Sequence, residues 1–277
     1  MLKSPFNYAG TKQNTLDFLH KNFPTNKLYM VDMFCGGGSV GVSSIDMFST
    51  VIMNDVVTPL INFYKELQTK DFETIKKNVL KYKIDKNKPE EYAALRTLYN
   101  QNKDDPYMFF GCCSACTNNL MRFNQKKEFN QTFGKRSIND STLEKLEDYS
   151  NRIYGKNFVF INKPFYDVWE KFKEMNNVSD VFFYLDPPYL QTDAGYNVFW
   201  SVDNDENLYK MMEEMDSMNV SFAMSNTLKH KGVLNPFYDR FKKWNIIEVP
   251  EFFNKVKKKE TDKESVEILV KNYSAII

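Results

Sequence analysis

Residues 181–189 read VFFYLDPPY, an apolar run that stops at an acid and two prolines. Five apolar or β-favouring residues before Asp186 predict a buried strand with a chemical group at its carboxyl end, where open α/β sheets bind ligands. The two prolines prevent the sheet from continuing and stiffen the turn. The Asp186 carboxylate and the Pro187 carbonyl are therefore expected to be two acceptors held in fixed directions.

Two acceptors on a rigid turn suit one kind of chemistry. The amino nitrogen of adenine or cytosine is nearly planar, so its attack on a methyl donor needs acceptors that favour a pyramidal nitrogen. Asp186 and Pro187 would each accept one N–H, and Tyr189 would stack on the base. Asp-Pro-Pro-Tyr resembles the signature tetrapeptide of amino-group DNA methyltransferases, which use S-adenosylmethionine. The alternative for the tetrapeptide alone is a proline-rich turn beside a surface tyrosine.

Composition permits this interpretation without requiring it. The 277 residues are 42% hydrophobic, enough for one large domain or a domain with an insertion. The formal net charge of +1 neither indicates nor excludes a nucleic-acid partner. The chain has no apolar signal core and no run long enough to span a bilayer, so we expect a cytoplasmic protein that needs no membrane.

The cysteines and histidines argue against metal and triad chemistry. Cys112, Cys113 and Cys116 are clustered, as expected of reduced thiols in a cytoplasm rather than of a disulfide framework. Cys113 and Cys116 have the spacing of half a zinc site, but no second pair follows. With only two histidines, His20 and His230, a histidine metal site or a Ser-His-Asp triad is not expected.

A second motif lies near the amino terminus. Residues 28–34 predict a buried strand, and residues 35–41, CGGGSVG, follow it as a turn into a helix. A further short strand, residues 50–53, leads to Asp55, which is 19 residues beyond Gly36 and well placed to bind ribose hydroxyls. Gly36, Gly38 and Gly41 also satisfy the G-x-G-x-x-G spacing, so an NAD site and a turn without ligand are the alternatives.

Taken together, the motifs resemble one family over essentially the whole chain. NYAGTK (7–12), VDMFCGG (31–37), ND (54–55) and DPPY (186–189) occur in the order and spacing of the Dam-type DNA adenine-N6 methyltransferases, particularly the short phage enzymes. Residues 133–136, 196–201 and 225–226 also resemble family segments. In that family Asp at the first place of the tetrapeptide goes with adenine, whereas Ser is usual in cytosine-N4 enzymes.

The resemblance implies a set of site residues. S-adenosylmethionine would be bound by Tyr8, Lys12, Gly36, Gly37, Gly38, Asp55, Phe165 and Asp186. Lys12 would supply positive charge for the cofactor carboxylate, Gly36 to Gly38 would lie beneath its methionine portion, Asp55 would hold the ribose, and Phe165 would lie beside the adenine. Asp186, Pro187 and Tyr189 would carry the catalysis. No metal is implied, because the sulfonium is itself the electrophile.

Residues 62–155 have a different character. Residues 89–99 predict a helix, and the segment 117–137 carries five basic residues against Glu128 alone, interleaved with amides and phenylalanines. Cations for phosphates, amides and arginine for base edges, and rings for stacking suit a DNA-reading loop, although a solvated β-hairpin would look similar.

The resemblance implies that this insertion reads the DNA target. Residues 119–124 resemble the family's recognition hairpin, so Asn119 and Arg122 are candidate DNA contacts, with Arg122 reading guanine in GATC. Lys135 and Arg136 would hold phosphates. Two departures put the site in question: Thr117 and Asn118 replace an aromatic-serine pair of related phage enzymes, and Thr132 replaces a proline.

The rest of the chain completes the prediction. Residues 191–201 are expected to form a loop over the base pocket, with Tyr196 and Trp200 available to cover the pocket. An adenine must leave the duplex to reach such a pocket, so base flipping is implied. Residues 205–218 predict a helix, and residues 220–224 predict a strand ending at Ser225-Asn226. Residues 246–273 predict a hairpin around the charged run 255–260, which is more simply a solvated turn than a DNA contact.

We therefore predict an α/β, Rossmann-like S-adenosylmethionine-dependent methyltransferase fold with a mixed sheet. Residues 1–61 and 156–277 would form the catalytic domain, and residues 62–155 a mainly helical target-recognition domain containing a β-hairpin. The partner would be double-stranded DNA, with no obligatory protein partner. Alternatives are methylation of cytosine N4 or RNA adenine, a non-catalytic DNA-binding relative, and an NAD-dependent oxidoreductase, which would leave residues 186–189 and the basic insertion unused.

Overall fold

The computed structural model describes residues 2–8, 10–188, 200–230, 232–250 and 265–274. Tyr189 of the tetrapeptide, Tyr196 of the expected loop and the charged run 255–260 lie outside these residues. The predictions made for them therefore stay predictions.

The described residues form one sheet of eight strands. They are β1 (Tyr29–Asp32), β2 (Thr50–Asn54), β3 (Phe158–Ile161), β4 (Val181–Leu185), β5 (Ser221–His230), β6 (Val233–Leu234), β7 (Asn245–Glu248) and β8 (Val266–Lys271). The strand order is β3-β2-β1-β4-β5-β8-β7, with β6 paired to β5. The strands β1 to β5 run parallel, whereas β8 is antiparallel to both β5 and β7. The sheet is thus mixed, as predicted.

Ten α-helices surround this sheet in the described part of the chain. They are α1 (Leu16–Asn22), α2 (Ser39–Ser43), α3 (Thr58–Thr69), α4 (Phe72–Leu80), α5 (Pro89–Gln101), α6 (Pro106–Ala115), α7 (Asp140–Ile153), α8 (Phe165–Phe172), α9 (Val202–Ser217) and α10 (Tyr238–Phe241). Side-chain caps explain where several begin: Asp71, Asp105 and Asn139 accept backbone N–H groups at the starts of α4, α6 and α7. None of the described helices is long and apolar enough to cross a membrane.

Strand β4 shows why the sheet is covered on both faces. All five of its residues are buried, and alternate side chains enter different cores. Phe182 and Tyr184 join the core that includes α3 to α7, whereas Val181, Phe183 and Leu185 join the core formed with α8 and α9. A continuous apolar run therefore reads as a central parallel strand.

The strand order fixes where a ligand can bind. Strand β1 has β2 on one side and β4 on the other, so the order in which successive strands are added to the sheet reverses at the parallel β1–β4 pair. A crevice opens beyond the carboxyl ends of strands at such a switch point. Gly36 to Gly38 follow β1, and Asp186 follows β4.

Three predictions about elements can be compared with this fold. The helix predicted over residues 89–99 is confirmed as α5, and the carboxyl-terminal hairpin is confirmed as β7 paired with β8. The end of β5 was wrongly placed at Ser225-Asn226. The strand continues to His230 because β8 pairs with it through Thr227 and Lys229 and supplies the ladder hydrogen bonds.

The segment 62–155 lies between β2 and β3 and is mainly helical. Within it, residues 116–136 contain two antiparallel bridges, Cys116 to Phe133 and Phe123 to Phe129, and Leu120 forms a parallel bridge with Asn7. We call residues 116–136 the basic hairpin. The boundaries of residues 62–155 as a separate domain remain a prediction. The helices at the two ends of this segment, α3 and α7, both contact the turn that contains Gly36 and Gly37.

Candidate active site

The turn after β1, residues 35–38, has a backbone that requires glycine, and we call it the glycine turn. Gly36 and Gly38 have φ angles of +46° and +72°, in the left-handed region. The Cys35 N–H donates to Asn54 O at 2.8 Å, and the Gly38 N–H donates to Cys35 O at 2.7 Å. A Cβ atom on Gly36 would lie 2.7 Å from the Tyr8 ring, so this ring packs directly on the turn.

Three side-chain hydroxyls hold the carbonyl groups of this turn. Tyr64 of α3 donates to Gly36 O at 2.8 Å, and Tyr149 of α7 donates to Gly37 O at 2.9 Å. Ser4 also donates to Gly37 O, at 2.7 Å. The predicted cofactor residues Tyr8, Gly36, Gly37 and Gly38 are thus brought together, and the tyrosines were not among the predicted residues.

Asp55 fixes the turn from the end of β2. Its Oδ2 accepts the Gly36 N–H at 2.9 Å, and its Oδ1 accepts the Val57 N–H, also at 2.9 Å. Burial raises the pKa of this carboxyl, whereas the backbone donors oppose that shift. Each carboxylate oxygen keeps a second lone pair, so the predicted ribose contact is compatible with these bonds.

Asp186 and Lys12 meet across the crevice. Lys12 Nζ lies 2.8 Å from Asp186 Oδ1 and donates to Gly10 O at 3.0 Å. The Lys12 side chain is 9% exposed and that of Asp186 is 19% exposed, so the pair borders solvent rather than being sealed. Pro187 is buried directly after Asp186, which fixes the backbone that bears the carboxylate.

A third carboxyl, Asp32, was not among the predicted residues. It ends β1, is 1% exposed and accepts the Gly41 N–H at 2.9 Å. Burial, together with the nearby charges of Asp186 and Asp55, raises its pKa to about 8, whereas the Gly41 N–H and Lys12 oppose the shift. The sequence signal that could have identified Asp32 is its position as an acid at the end of an otherwise apolar strand.

Phe165 begins α8 and is buried among aromatic rings. Its centroid lies 5.3 Å from that of Phe34 and 5.5 Å from that of Trp200. The Trp200 indole N–H donates to Asp205 Oδ1 at 2.9 Å. Phe165 is thus on the α8 side of the sheet, beyond the end of β3, and its contacts are with core rings.

The four predicted DNA contacts all lie on the basic hairpin. Arg122 is exposed, and its Nε and Nη2 donate to the Asn130 side chain and carbonyl, each at 3.0 Å. Asn119 is half-buried and accepts from Arg136 Nη1 at 2.8 Å. Lys135 is exposed with a φ of +53°. Arg136 therefore braces the hairpin as well as facing solvent.

The interpretation of the hairpin phenylalanines as stacking platforms was wrong for Phe123 and Phe129. They are 6% and 1% exposed and pack against Phe109, because the bridge between them places both rings on the core side. Asn100 of α5 also clamps the Phe129 backbone N–H and carbonyl. Two of the rings that suggested DNA stacking therefore anchor the hairpin.

Asn7 joins the basic hairpin to the amino-terminal segment. The Asn7 side-chain amide donates to Asn118 O at 2.6 Å, and Asn7 forms a bridge with Leu120. The next residue, Tyr8, packs on the glycine turn. Two consecutive residues of this segment, Asn7 and Tyr8, therefore contact the basic hairpin and the glycine turn respectively.

Comparison with known proteins agrees with this geometry. Residues 8–272 match the model of the D12 class N6 adenine-specific DNA methyltransferases. The type II methyltransferase M.FokI of Planomicrobium okeanokoites is 29% identical over 284 residues, which is 99% of this chain and 43% of that protein. The DNA adenine methylase of Haemophilus influenzae is 28% identical over 204 residues, which is 68% of this chain and 65% of that protein.

The DNA N-6-adenine-methyltransferase of Escherichia phage P1 is 33% identical over 153 residues, which is 53% of this chain and 20% of that protein. The chain thus spans less than half the length of M.FokI. The family model, however, covers nearly all of this chain, from Tyr8 of the amino-terminal segment to the end of β8. The predicted resemblance is confirmed, and the NAD-dependent alternative is not supported. The chain belongs to the D12 class N6 adenine-specific DNA methyltransferase family.

Proposed function

We propose that this chain transfers a methyl group from S-adenosylmethionine to N6 of adenine in double-stranded DNA. The observation that carries the proposal is the position of Asp186. It follows β4 at the switch point of the sheet, where Lys12 lies 2.8 Å from its carboxylate and the glycine turn ends the neighbouring strand. A carboxylate and a methyl-donor site would thus share one crevice.

The residues around the crevice suit S-adenosylmethionine. Asp55 and Asp32 are carboxylates beside the glycine turn, and a cationic ligand would favour their ionised forms. Lys12 offers its charge to a carboxylate, and Gly36 and Gly38 let a ligand approach the backbone. The cofactor would supply an electrophilic methyl group and would need no metal.

The chain's own residues would position and polarise the adenine amine. The Asp186 carboxylate and the Pro187 carbonyl would each accept one N–H of the target amine, which favours the pyramidal nitrogen that attacks. Lys12 would hold the Asp186 carboxylate in place. Tyr189 would stack on the flipped base, and Trp200, held by Asp205, would help to support the pocket.

The basic hairpin would supply DNA recognition. Arg122 carries five N–H donors, and the two nitrogens bonded to Asn130 leave further donors for a guanine edge. Lys135 and Arg136 would contact phosphates, and Asn119 would orient Arg136. The site would be GATC or a related short sequence, and the enzyme would act on DNA in the cytoplasm.

The test is transfer of labelled methyl from S-adenosylmethionine to unmethylated duplex DNA, followed by nucleoside mass spectrometry and mapping of the modified positions. We expect N6-methyladenine at one short motif. Asp186→Asn preserves the side-chain volume but removes the charge and one acceptor, so the rate should fall by roughly a thousandfold. Asp46→Asn is the matched control. It makes the same change of side chain, but at an exposed aspartate whose ion pair is with Arg152.

Circular dichroism and cofactor binding would establish that the Asp186 variant is folded. N4-methylcytosine would show that the target base is wrong, and incorporation into RNA alone would show that the substrate is wrong. No transfer by a folded chain that binds S-adenosylmethionine would overturn the proposal. Equal loss of rate in the Asp46 variant would remove Asp186 from its proposed role.

A further inference from the structure

We propose that the Tyr64 and Tyr149 hydroxyls are positioning groups that set the geometry of the glycine turn and so its affinity for S-adenosylmethionine. This inference rests on the proposed function. It assigns a role to two residues outside the sequence motifs, at separations of 28 and 112 residues from the carbonyl groups that they bind.

The two hydroxyls converge on one point. Tyr64 donates to Gly36 O at 2.8 Å and Tyr149 donates to Gly37 O at 2.9 Å, and both side chains are fully buried. Their ring centroids are 6.2 Å apart, and a Cβ on Gly38 would lie 2.3 Å from the Tyr149 hydroxyl and 3.0 Å from that of Tyr64. The turn is therefore packed against the hydroxyls themselves, not only against the rings.

Because peptide units are planar, a hydroxyl that holds a carbonyl group also fixes the direction of the N–H in the same unit. The Gly36 carbonyl and the Gly37 N–H belong to one rigid peptide unit and point in opposite directions. Tyr64 thus sets the direction of the Gly37 N–H when it holds the Gly36 carbonyl. Tyr149 acts on the next unit in the same way, where the Gly38 N–H closes the turn onto Cys35 O at 2.7 Å.

Packing alone does not explain tyrosine at these positions. Phenylalanine already fills neighbouring places in this core, for example Phe160, whose ring stacks on Tyr64 with a centroid distance of 5.7 Å. A buried hydroxyl is costly unless it is hydrogen-bonded, and here each one is bonded to a turn whose positive φ angles require glycine. Burial also raises the pKa of both phenols, so they remain protonated donors.

The experiment compares Tyr64→Phe and Tyr149→Phe with two variants that lose the same kind of bond elsewhere. Tyr92 donates to Gln131 O at 2.7 Å in the basic hairpin, and Tyr273 donates to Asn22 O at 2.9 Å. Tyr92→Phe and Tyr273→Phe are therefore matched controls. Calorimetric titration with S-adenosylmethionine, without DNA, gives Kd, and urea unfolding reports stability.

We expect each site variant to bind S-adenosylmethionine about tenfold more weakly, because a buried carbonyl loses its donor and the turn shifts. KM for S-adenosylmethionine should rise by a similar factor, while kcat stays within about twofold of the wild type. The controls should lose stability without losing affinity. Ser4→Ala removes the half-buried second donor to Gly37 O and should weaken binding in the same direction, which provides a test if a tyrosine variant does not fold.

Affinity equal to wild type in folded Tyr64→Phe and Tyr149→Phe, with a stability loss like that of the controls, would overturn the inference and leave the proposed function intact. A large fall in kcat with unchanged KM would also overturn it. Failure of the wild-type chain to bind S-adenosylmethionine would overturn the proposed function, and this inference with it.

Discussion

The glycine turn and the basic hairpin differ in how their functional groups are held. Around the turn, Asp32 and Asp55 are buried and accept backbone N–H groups, and hydroxyls from two helices hold the carbonyls. On the hairpin, Arg122 and Lys135 are exposed. The bonds of Arg122 go to Asn130 within the same hairpin.

This difference matches the two proposed tasks. A cofactor is bound more tightly by groups that are already held in the directions it needs, so rigidity around the turn contributes to affinity for the methyl donor. Reading DNA requires long cationic side chains that can exchange one partner for phosphates or base edges. Mutations in the two regions should therefore have different signatures: pH and steric sensitivity at the turn, and salt and sequence sensitivity at the hairpin.

The largest effect is expected from adding one methyl group to the turn. Gly38→Ala places a Cβ 2.3 Å from the Tyr149 hydroxyl at a φ of +72°, so both a clash and a left-handed alanine are introduced. We expect a loss of about 3 kcal/mol or more in the free energy of unfolding, and no measurable binding of S-adenosylmethionine. Urea unfolding and calorimetric titration would measure these two quantities.

Gly155→Ala is the matched control for this substitution. Gly155 has a φ of +64°, but a Cβ there would meet nothing within 4 Å. In this variant the free energy of unfolding should fall by about 1 kcal/mol, the cost of a left-handed alanine alone, and the affinity for S-adenosylmethionine should be unchanged. Similar losses in the two variants would show that the hydroxyls do not define the space around the turn.

A smaller effect should appear as pH dependence of stability. The folded pKa of Asp32 is about 8, far above that of an unfolded aspartate, so the folded protein binds the extra proton between about pH 4 and pH 8. Its stabilising contribution is complete below about pH 4 and is lost as the pH rises through 8. Between pH 6 and pH 7 this decline should be shallower in Asp32→Asn by about 1.4 kcal/mol.

Urea unfolding at a series of pH values measures this decline. Asp55 and Asp205, whose pKa values are also raised by burial, remain in the variant and give a residual slope. Asp17→Asn is a control, because Asp17 is exposed on α1. An unchanged slope in Asp32→Asn would mean that Asp32 is ionised in the folded protein at neutral pH.

Local patterns predicted the turn well because its determinants are local. The strand, the glycines and Asp55 follow from hydrophobic runs, turn residues and the spacing between neighbouring parallel strands. Tyr64 and Tyr149 could not be found in this way, because a helix periodicity marks them only as core residues. Their partners are set by how α3 and α7 return to the sheet after a long insertion.

The hairpin shows the opposite limit of sequence reasoning. Its basic residues were located by composition alone, but rings that stack on bases and rings that anchor a hairpin look identical in a sequence. The antiparallel bridge between Phe123 and Phe129 decides the matter, because it puts both rings on the buried side. The remaining candidates for DNA contact are thus the exposed cations.

These cations give the smallest expected effects, and a pair of variants separates their roles. Arg122→Gln removes the proposed guanine reader, so discrimination at one base pair should fall by about 1–3 kcal/mol. The slope of log K against log salt should change by no more than the loss of one charge produces. Lys135→Gln removes a proposed phosphate contact, so binding to every sequence should weaken alike, and the slope of log K against log salt should decrease by about 1. Fluorescence anisotropy with the mapped site and its single-base variants, at several salt concentrations, measures both. Uniform weakening by Arg122→Gln, with the sequence preference intact, would place base reading elsewhere and leave the hairpin only an electrostatic role.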